Sequence, residues 1–263
     1  MKKKIDIKIA NPSGNITIFV KTPVPRSEYQ TVASQLLETY TDAEQVAFIL
    51  QNPQIPGIDG EMEMCGLEFC GNASRSFALL MAQEAGETGF VKKTVLVSGC
   101  EQALTVDVNM DQHRAKVRMP NPISCEKKQE CTIVDFGGIL HIIVEDLPAS
   151  KEVFELLKDR VYEQLNPPAM GVMFWDTAEK KLTPVVYVKD VDSTYFEGSC
   201  GSGTTAMAAA FSMGREDGTY SWSIPQPAGT IDATAVVKDG RAVEIYIDSP
   251  VDVKPMQTVE VEV

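Results

Sequence analysis

Two of the six cysteines, Cys70 and Cys200, have the same sequence surroundings. Each follows a predicted strand, precedes a glycine and begins a predicted helix that is rich in small residues. A thiol at the start of a helix experiences the positive end of the helix dipole, which favours the reactive thiolate form. The pattern therefore predicts two reactive sulfurs at equivalent places in the chain.

The residues that follow each cysteine predict a binding site for a carboxylate. The first backbone N–H groups of a helix have no carbonyl partner within the helix, and they attract anions. Here these groups belong to Gly71 and Asn72 in one helix and to Gly201 and Ser202 in the other. The glycines also allow a ligand to approach the backbone closely.

Two such helix starts, if they face each other, would hold a carboxylate with one sulfur on either side of the adjacent α-carbon. A thiolate would then remove the α-proton while a thiol delivers a proton from the opposite face. The N–H dipoles would stabilise the negative charge that develops. This combination is typical of the racemisation of an amino acid, so Cys70 and Cys200 are the candidate catalytic residues.

The elements that must position these cysteines occur twice. Each half of the chain predicts a capped helix, two strands, a cysteine-led helix and a hairpin, and matching positions lie 123 to 130 residues apart. The matching positions are Ser27 and Ser150, Val46 and Val172, and Cys70 and Cys200. The repeat predicts two α/β domains related by pseudo-twofold symmetry, with a ligand-binding cleft between them.

The remaining cysteines and the two histidines show no metal-site pattern. No CxxC occurs, and His113 and His141 have no repeated spacing to a cysteine, so we expect no metal. His141 is interpreted as a core or surface residue of a strand. No phosphate-binding loop is present, no lysine stands out as a pyridoxal phosphate anchor, and no cofactor is expected. Packing or surface-loop roles are assigned to Cys65, Cys100, Cys125 and Cys131.

The composition predicts a folded cytoplasmic protein. The 263 residues are 44% apolar and carry a net charge of −13 with a pI near 4.7, so nucleic acid and anionic membranes are poor partners. No run of 18 apolar residues is present, and the first residues lack the apolar region of a signal peptide. The expected partner is a small amino-acid substrate. The oligomeric state stays open, with a homodimer as one alternative.

Over nearly its whole length the chain resembles the diaminopimelate epimerase superfamily of cofactor-independent racemases. The motifs that carry the resemblance are Gly14-Asn15, Glu68-Phe-Cys-Gly-Asn-Ala73, Cys200-Gly-Ser-Gly203 and Pro227-Ala-Gly229-Thr. The resemblance implies that the two motif cysteines are the acid and the base and that the following N–H groups hold the α-carboxylate. It also implies that Asn15 and Gln45 lie near the α-amino group.

The match to diaminopimelate epimerase itself is incomplete. That enzyme has an asparagine nine residues before the first catalytic cysteine, where this chain has Glu61. It has Glu-Arg before the second, where this chain has Val191 and Asp192. A buried far carboxylate would lack its arginine partner, which argues against diaminopimelate as the substrate.

The chain is more similar to the histidine racemases that make D-histidine for opine-type metallophores such as staphylopine. The motifs are Asn11-Pro-Ser-Gly-Asn15, Glu44-Gln-Val46, Glu68-Phe-Cys-Gly-Asn72, Val97-Ser-Gly-Cys100, Ser199-Cys-Gly-Ser-Gly203 and Gln226-Pro227. The resemblance implies that Glu44 contacts the substrate. A carboxylate suits an imidazole or ammonium group that is polar and partly cationic.

The resulting prediction is a diaminopimelate-epimerase-like α/β fold, with a curved mixed sheet around a central helix in each half. Residues 1–118 with about 253–263 form the half with Cys70, and 119–252 form the half with Cys200. The predicted activity is histidine racemisation. Open alternatives are a diaminopimelate or other amino-acid epimerase, a relative of proline racemase, a redox-active or metal-binding thiol protein, and a non-catalytic amino-acid binder.

Overall fold

The chain divides into two compact units in a computed structural model that describes residues 2–51 and 55–263. The first unit comprises Met1–Arg118 and Asp248–Val263, and the second comprises Met119–Ile247. Within the described residues, no helix is both long enough and apolar enough to cross a membrane.

Strands outnumber helices, and both kinds of element occur in each unit. In chain order the elements to residue 119 are β1 (Lys2–Asn11), β2 (Thr17–Val20), α1 (Tyr29–Thr39), β3 (Gln45–Leu50), β4 (Gly60–Met64), α2 (Gly71–Glu84), β5 (Phe90–Val97), β6 (Leu104–Asn109) and β7 (Arg114–Met119). The elements that follow are β8 (Ser124–Lys127), β9 (Thr132–Asp135), β10 (Leu140–Glu145), α3 (Lys151–Gln164), β11 (Ala169–Asp176), β12 (Lys181–Val188), β13 (Ser193–Phe196), α4 (Gly201–Ser212), β14 (Gly218–Pro225), β15 (Thr230–Lys238) and β16 (Arg241–Pro250). The chain ends with β17 (Asp252–Val253) and β18 (Gln257–Glu262).

The first unit is built on a mixed sheet with the strand order β7-β6-β5-β4-β3-β2-β1-β17, and β18 also pairs with β1. In β1, Ile5, Ile7 and Ile9 are buried because successive side chains of a strand point to opposite faces. The last strand, β18, runs antiparallel to β1, with Ile5 opposite Val259. The two ends of the chain therefore meet in one sheet.

Each unit contains the same parallel crossover. Strands β2 and β3 are parallel and are joined through α1, and β10 and β11 are parallel and are joined through α3. A helix commonly makes this connection because a parallel pair cannot be closed by a tight hairpin. In the second unit the strand order is β13-β12-β11-β10-β9-β8, and β14, β15 and β16 are neighbours in that order.

The helices that follow the two cysteines lie at the centre of their units. Helix α2 packs against β4, β5 and β6, and α4 packs against β8, β9, β10, β14 and β15. Most residues of both helices are buried, which agrees with their many small side chains. The predicted mixed α/β fold with central helices is confirmed.

The predicted capping box at Ser27 is wrong, whereas the matching cap at Ser150 is confirmed. The Ser150 hydroxyl accepts a hydrogen bond from the Val153 N–H at 3.3 Å. Helix α1 begins two residues after Ser27, and its N-cap, Glu28, makes no side-chain cap. A short 3₁₀ helix, Arg26–Glu28, leads directly into α1 and makes a separate cap unnecessary.

A buried carboxylate on β4 makes the first unit sensitive to acid. Glu63 accepts hydrogen bonds from Arg26 and, at 3.0 Å, from the Tyr29 hydroxyl. The Arg26 hydrogen bond holds the pKa of Glu63 below its ordinary value of 4.5. Stability from this group is therefore fully present above pH 4.5 and is lost as the pH falls through the lower folded-state pKa.

Replacing Glu63 with glutamine is expected to destabilise the protein at pH 7 and to cost less at pH 3, which lies below the ordinary pKa of 4.5. Glutamine cannot supply the charge that Arg26 pairs with, and the stability that this charge contributes decreases as the pH falls below 4.5. Urea unfolding of both proteins at the two pH values measures the difference. An equal cost at both pH values would contradict the assigned role of the Glu63 charge.

Candidate active site

Cys70 and Cys200 adopt the same backbone geometry at the starts of their helices. Cys70 is the N-cap of α2 with φ −129° and ψ 112°, and Cys200 is the N-cap of α4 with φ −125° and ψ 115°. Each sulfur accepts a hydrogen bond from the N–H three residues on, Ala73 at 3.4 Å and Gly203 at 3.3 Å. The thiol thus takes the capping position that serine or aspartate usually fills.

A hydroxyl four residues further along the chain also contacts each cysteine. Ser74 donates to the Cys70 carbonyl and Thr204 donates to the Cys200 carbonyl, both at 2.7 Å. The Ser74 and Thr204 N–H groups bond to the same carbonyls. The capping and the hydroxyl contacts are therefore duplicated 130 residues apart, as the repeat in the sequence predicts.

The capping bonds leave two N–H groups at each helix start that the helix itself does not use. In α2 these belong to Gly71 and Asn72, and in α4 they belong to Gly201 and Ser202. The two glycines and Asn72 are buried, so these N–H groups lie in surroundings of low polarity where their attraction for an anion is strong. Each helix start therefore has the chemistry to bind an anion.

Three polar side chains of the first unit gather beside Cys70. Gln45, at the start of β3, donates from Nε2 to Asn15 Oδ1 at 2.7 Å and lies 3.2 Å from Cys70 Sγ. Asn15 in turn donates to the Glu44 carboxylate. These N–H donors favour negative charge on the Cys70 sulfur. Asn15, Glu44 and Gln45, singled out from the sequence, therefore lie in one connected network with Cys70.

The sequence did not point to Arg75, which is hydrogen-bonded to this network through Asn72. Its side chain is completely buried. The guanidinium donates to Asn72 Oδ1 at 3.0 and 3.2 Å, to the Ser249 carbonyl at 3.1 Å and to the Pro12 carbonyl at 3.0 Å. Asn72 also donates to Asn15 Oδ1 at 3.2 Å. Burial lowers the pKa of Arg75 to about 10, so the side chain remains charged at neutral pH.

Cys200 lies in surroundings different from those of Cys70. It is only 5% exposed, and its sulfur is 3.4 Å from the Ser202 hydroxyl. Burial raises the pKa of Cys200 well above the ordinary value for a thiol, and the hydrogen-bonded Glu197 carboxylate raises it further. Bonds from Ser202 and the Gly203 N–H act in the opposite direction. In the free protein Cys200 is therefore protonated at neutral pH.

Gln226 holds the backbone of Cys200. Its Oε1 accepts the Cys200 N–H at 2.8 Å, and its Nε2 donates to Thr204 Oγ1 at 2.9 Å. The side chain is almost completely buried, so both bonds are shielded from water. The sequence reasoning used Gln226 only as part of a family motif. Its separation of 26 residues from Cys200 concealed this contact.

Replacing Gln226 with alanine is expected to lower the free energy of unfolding by about 1–3 kcal/mol, because the buried Cys200 N–H loses its acceptor. The catalytic rate should fall as well, since the start of α4 is no longer fixed. Urea unfolding and racemisation assays measure the two effects. The control is the exposed Gln102, whose replacement with alanine should change neither the stability nor the rate. A Gln226→Ala protein with native stability and rate would contradict the role of Gln226 in holding Cys200.

The other thiols lie outside this arrangement. Cys65 follows β4 with its sulfur 3.6 Å from Gln30 Oε1, and Cys125 on β8 lies 3.4 Å from the Met213 sulfur. Burial raises the pKa of all four of these thiols, and that of Cys125 rises to about 11. These four thiols, Cys65, Cys100, Cys125 and Cys131, are free rather than disulfide-bonded.

Solved structures with a similar fold include proteins described as an isomerase, an epimerase and a probable racemase. A hydroxyproline epimerase from Agrobacterium vitis with bound trans-4-hydroxy-L-proline superposes with a TM-score of 0.66 at 10% identity, over 98% of this chain and 92% of the other. A methylitaconate-delta-isomerase gives a TM-score of 0.63 at 12% identity, over 99% and 96%. This chain therefore shares the fold of these two proteins.

The sequence comparisons are more specific. The model of the histidine racemase CntK N-terminal domain matches residues 4–258. A histidine racemase of Fusobacterium nucleatum is 33% identical over 94% of this chain and 93% of its own length. A histidine racemase of Staphylococcus aureus is 29% identical over 89% of each. The chain belongs to the histidine racemase family, and it is an isomerase that acts as an amino-acid racemase.

Proposed function

We propose that this protein interconverts L- and D-histidine by a two-thiol mechanism that uses no pyridoxal phosphate or other cofactor. One observation carries the mechanism: Cys70 and Cys200 cap equivalent central helices with the same backbone geometry. Membership of the histidine racemase family supports the substrate. Both cysteines are free, so a disulfide does not account for this duplication.

The reaction exchanges one proton on each face of the α-carbon. In one direction the Cys70 thiolate removes the α-proton, and the electron pair of the broken C–H bond is delocalised into the carboxylate. The Cys200 thiol then delivers its own proton to the opposite face. The enzyme ends with a Cys70 thiol and a Cys200 thiolate, which is the state required for the reverse direction.

The contacts around the two sulfurs support these starting states. Cys200 is buried beside Glu197 and is protonated in the free protein. Cys70 faces the Gln45 amide and the Ala73 N–H, which favour a thiolate. The two groups therefore begin as a base and an acid, a division that general acid–base catalysis requires.

The remaining candidate residues bind and orient the substrate in this proposal. The N–H groups of the residues after each cysteine hold the α-carboxylate: Gly71, Asn72, Gly201 and Ser202. They also stabilise the charge that accumulates there in the transition state. Asn15 and Gln45 contact the α-amino group. The Glu44 carboxylate pairs with the imidazole, whose N–H and partial positive charge it complements.

The location and partners are part of the same proposal. The enzyme works in the cytoplasm on a free amino acid, and it binds neither nucleic acid nor anionic membrane, which its net charge of −13 would repel. A homodimer is the proposed assembly. Light scattering of the purified protein tests the assembly, and a mass of about 28.8 kDa, that of one chain, would contradict it.

The first experiment is proton NMR of the reduced enzyme in D₂O with L-histidine. We expect loss of the α-proton signal together with the appearance of D-histidine on chiral chromatography. Parallel samples contain diaminopimelate, L-proline and other L-amino acids. If only another amino acid exchanges its α-proton, that amino acid and not histidine is the substrate, and the two-thiol mechanism is retained. No exchange with any of them would contradict the proposed function.

A further inference from the structure

A buried histidine of the second unit connects to Cys200 through one hydroxyl. His141 lies on β10, and its side chain is completely buried. Its Nε2 is 2.9 Å from Ser202 Oγ, and Ser202 Oγ is 3.4 Å from Cys200 Sγ. The three side chains therefore form a continuous chain of contacts that ends on a sulfur of the proposed mechanism.

The neighbouring strand is shaped to accommodate the imidazole. Gly171 on β11 lies directly opposite His141 in the parallel ladder. A Cβ at position 171 would lie 2.4 Å from His141 Nδ1 and 2.8 Å from Cε1, which is a severe clash with a rigid ring. Phe136 packs edge-on against the ring, with the ring centroids 5.9 Å apart. Gly171 and Phe136 therefore both border the imidazole.

The imidazole of His141 is neutral at pH 7, so only one of its two ring nitrogens carries a proton. Burial lowers the pKa of His141 to about 4, and a hydrogen bond with the Gly171 backbone acts in the opposite direction. The 2.9 Å contact between Nε2 and Ser202 Oγ allows either tautomer. In the tautomer with its proton on Nε2, the ring donates to Ser202 Oγ.

We propose that His141 is a positioning residue that turns the Ser202 hydroxyl toward Cys200, so that Ser202 donates its proton to the Cys200 sulfur. Because Ser202 Oγ already accepts from His141, its own O–H is available for the sulfur. The donated bond favours the thiolate, which Cys200 must become after it has protonated the α-carbon. His141 itself neither gains nor loses a proton in the cycle.

Glu197 is the charged group that opposes this effect. Its carboxylate is hydrogen-bonded to the Cys200 thiol and raises the pKa of Cys200, whereas the Ser202 bond lowers it. Cys200 is thus held between one group that favours the thiol and one that favours the thiolate. A catalytic sulfur that must alternate between the two forms requires this balance. The inference rests on the proposed function only for the role of Cys200 as a reacting group.

The test measures the thiolate of Cys200 without any substrate. Methyl methanethiolsulfonate modifies the protein at pH 8, and peptide mass spectrometry gives the rate at Cys200 relative to Cys70 in the same molecule. We expect His141→Met to lower this ratio about tenfold, as loss of a hydrogen bond to a charged group predicts. Ser202→Ala, which keeps the backbone N–H, should lower it by the same factor.

Three further variants distinguish positioning from a general structural effect. His141→Met added to Ser202→Ala should cause no further fall, because His141 acts through the hydroxyl. His141→Gln should restore the ratio, since the Gln Nε2 amide can donate to Ser202. Glu197→Gln should raise the ratio and serves as the opposite control.

An unchanged ratio in His141→Met, an additive fall in the double variant, or no rescue by His141→Gln would each overturn the inference. Circular dichroism confirms that each variant is folded. If His141→Met does not fold, Ser202→Ala and His141→Gln still decide: the first should lower the ratio and the second should leave it near the native value. The modification test uses no substrate. If the ratios are as predicted but no amino acid is racemised, the proposed function is rejected and the inference about His141 is retained.

Discussion

Serine in place of either Cys70 or Cys200 is expected to reduce histidine racemisation by about 10²–10⁴-fold, the range for loss of a general acid or base. The serine hydroxyl can fill the same capping position, so the fold should be retained. It cannot form an anion near neutral pH, and one face of the α-carbon therefore loses its proton donor and acceptor. Chiral chromatography of the product after incubation with L- and D-histidine measures the loss.

The two variants should differ in hydrogen exchange, which makes the test specific. Each retains one sulfur that can still remove the α-proton from one face and return a solvent deuteron to the same face. In D₂O, one variant should therefore exchange L-histidine without inversion and the other should exchange D-histidine. Full racemisation in either variant would contradict a mechanism with two thiols.

The matched controls are two thiols that lie away from the helix starts. Serine at Cys65 in the first unit and at Cys131 in the second should leave the rate of racemisation near that of the native enzyme. Both sulfurs are free, and neither caps a central helix as Cys70 and Cys200 do. A comparable loss in these controls would indicate that serine damages the protein in general.

Replacing Arg75 with methionine is expected to lower the free energy of unfolding by about 3–5 kcal/mol, the usual result of breaking a buried charged network. Methionine fills a similar space but donates no hydrogen bond. Asn72 Oδ1 and the carbonyls of Pro12 and Ser249 would remain buried without their donor. Activity should fall in the folded fraction too, since Asn72 is no longer held beside Cys70. Urea unfolding provides the measurement.

Lysine at position 75 separates charge from geometry. It keeps the positive charge but cannot reach three separate acceptors with the spread of a guanidinium. We therefore expect Arg75→Lys to be destabilised almost as much as Arg75→Met. Arg160 is largely exposed, so Arg160→Met is the control and should change stability by less than about 0.5 kcal/mol. A native-like Arg75→Met protein would refute the structural role of the guanidinium.

Local patterns in the sequence were sufficient to predict much of the fold. The alternation in β1, the cap at Ser150 and the small-residue helices after both cysteines depend on neighbours within a few residues. The cap at Ser27 was wrong because a preceding 3₁₀ turn supplies the start of α1, and such a turn has no strong sequence signal.

The site was predictable only where its residues follow a cysteine or a family motif. Arg75 was not singled out, because nothing local indicates that its acceptors include the Pro12 and Ser249 carbonyls. His141 was interpreted as a strand residue without function, since its contact with Ser202 spans 61 positions. Contacts of this kind depend on how strands are ordered in a sheet, which the residue pattern does not specify.

The glycine opposite His141 couples two positions that are 30 residues apart in the chain. Alanine at 171 should not be tolerated beside the imidazole, yet it should become acceptable when 141 carries a small residue such as serine. During divergence, the histidine at position 141 must therefore be replaced by a smaller residue before position 171 can accept a side chain. In an alignment of related proteins, covariation between positions 141 and 171 would show which proteins have kept the histidine.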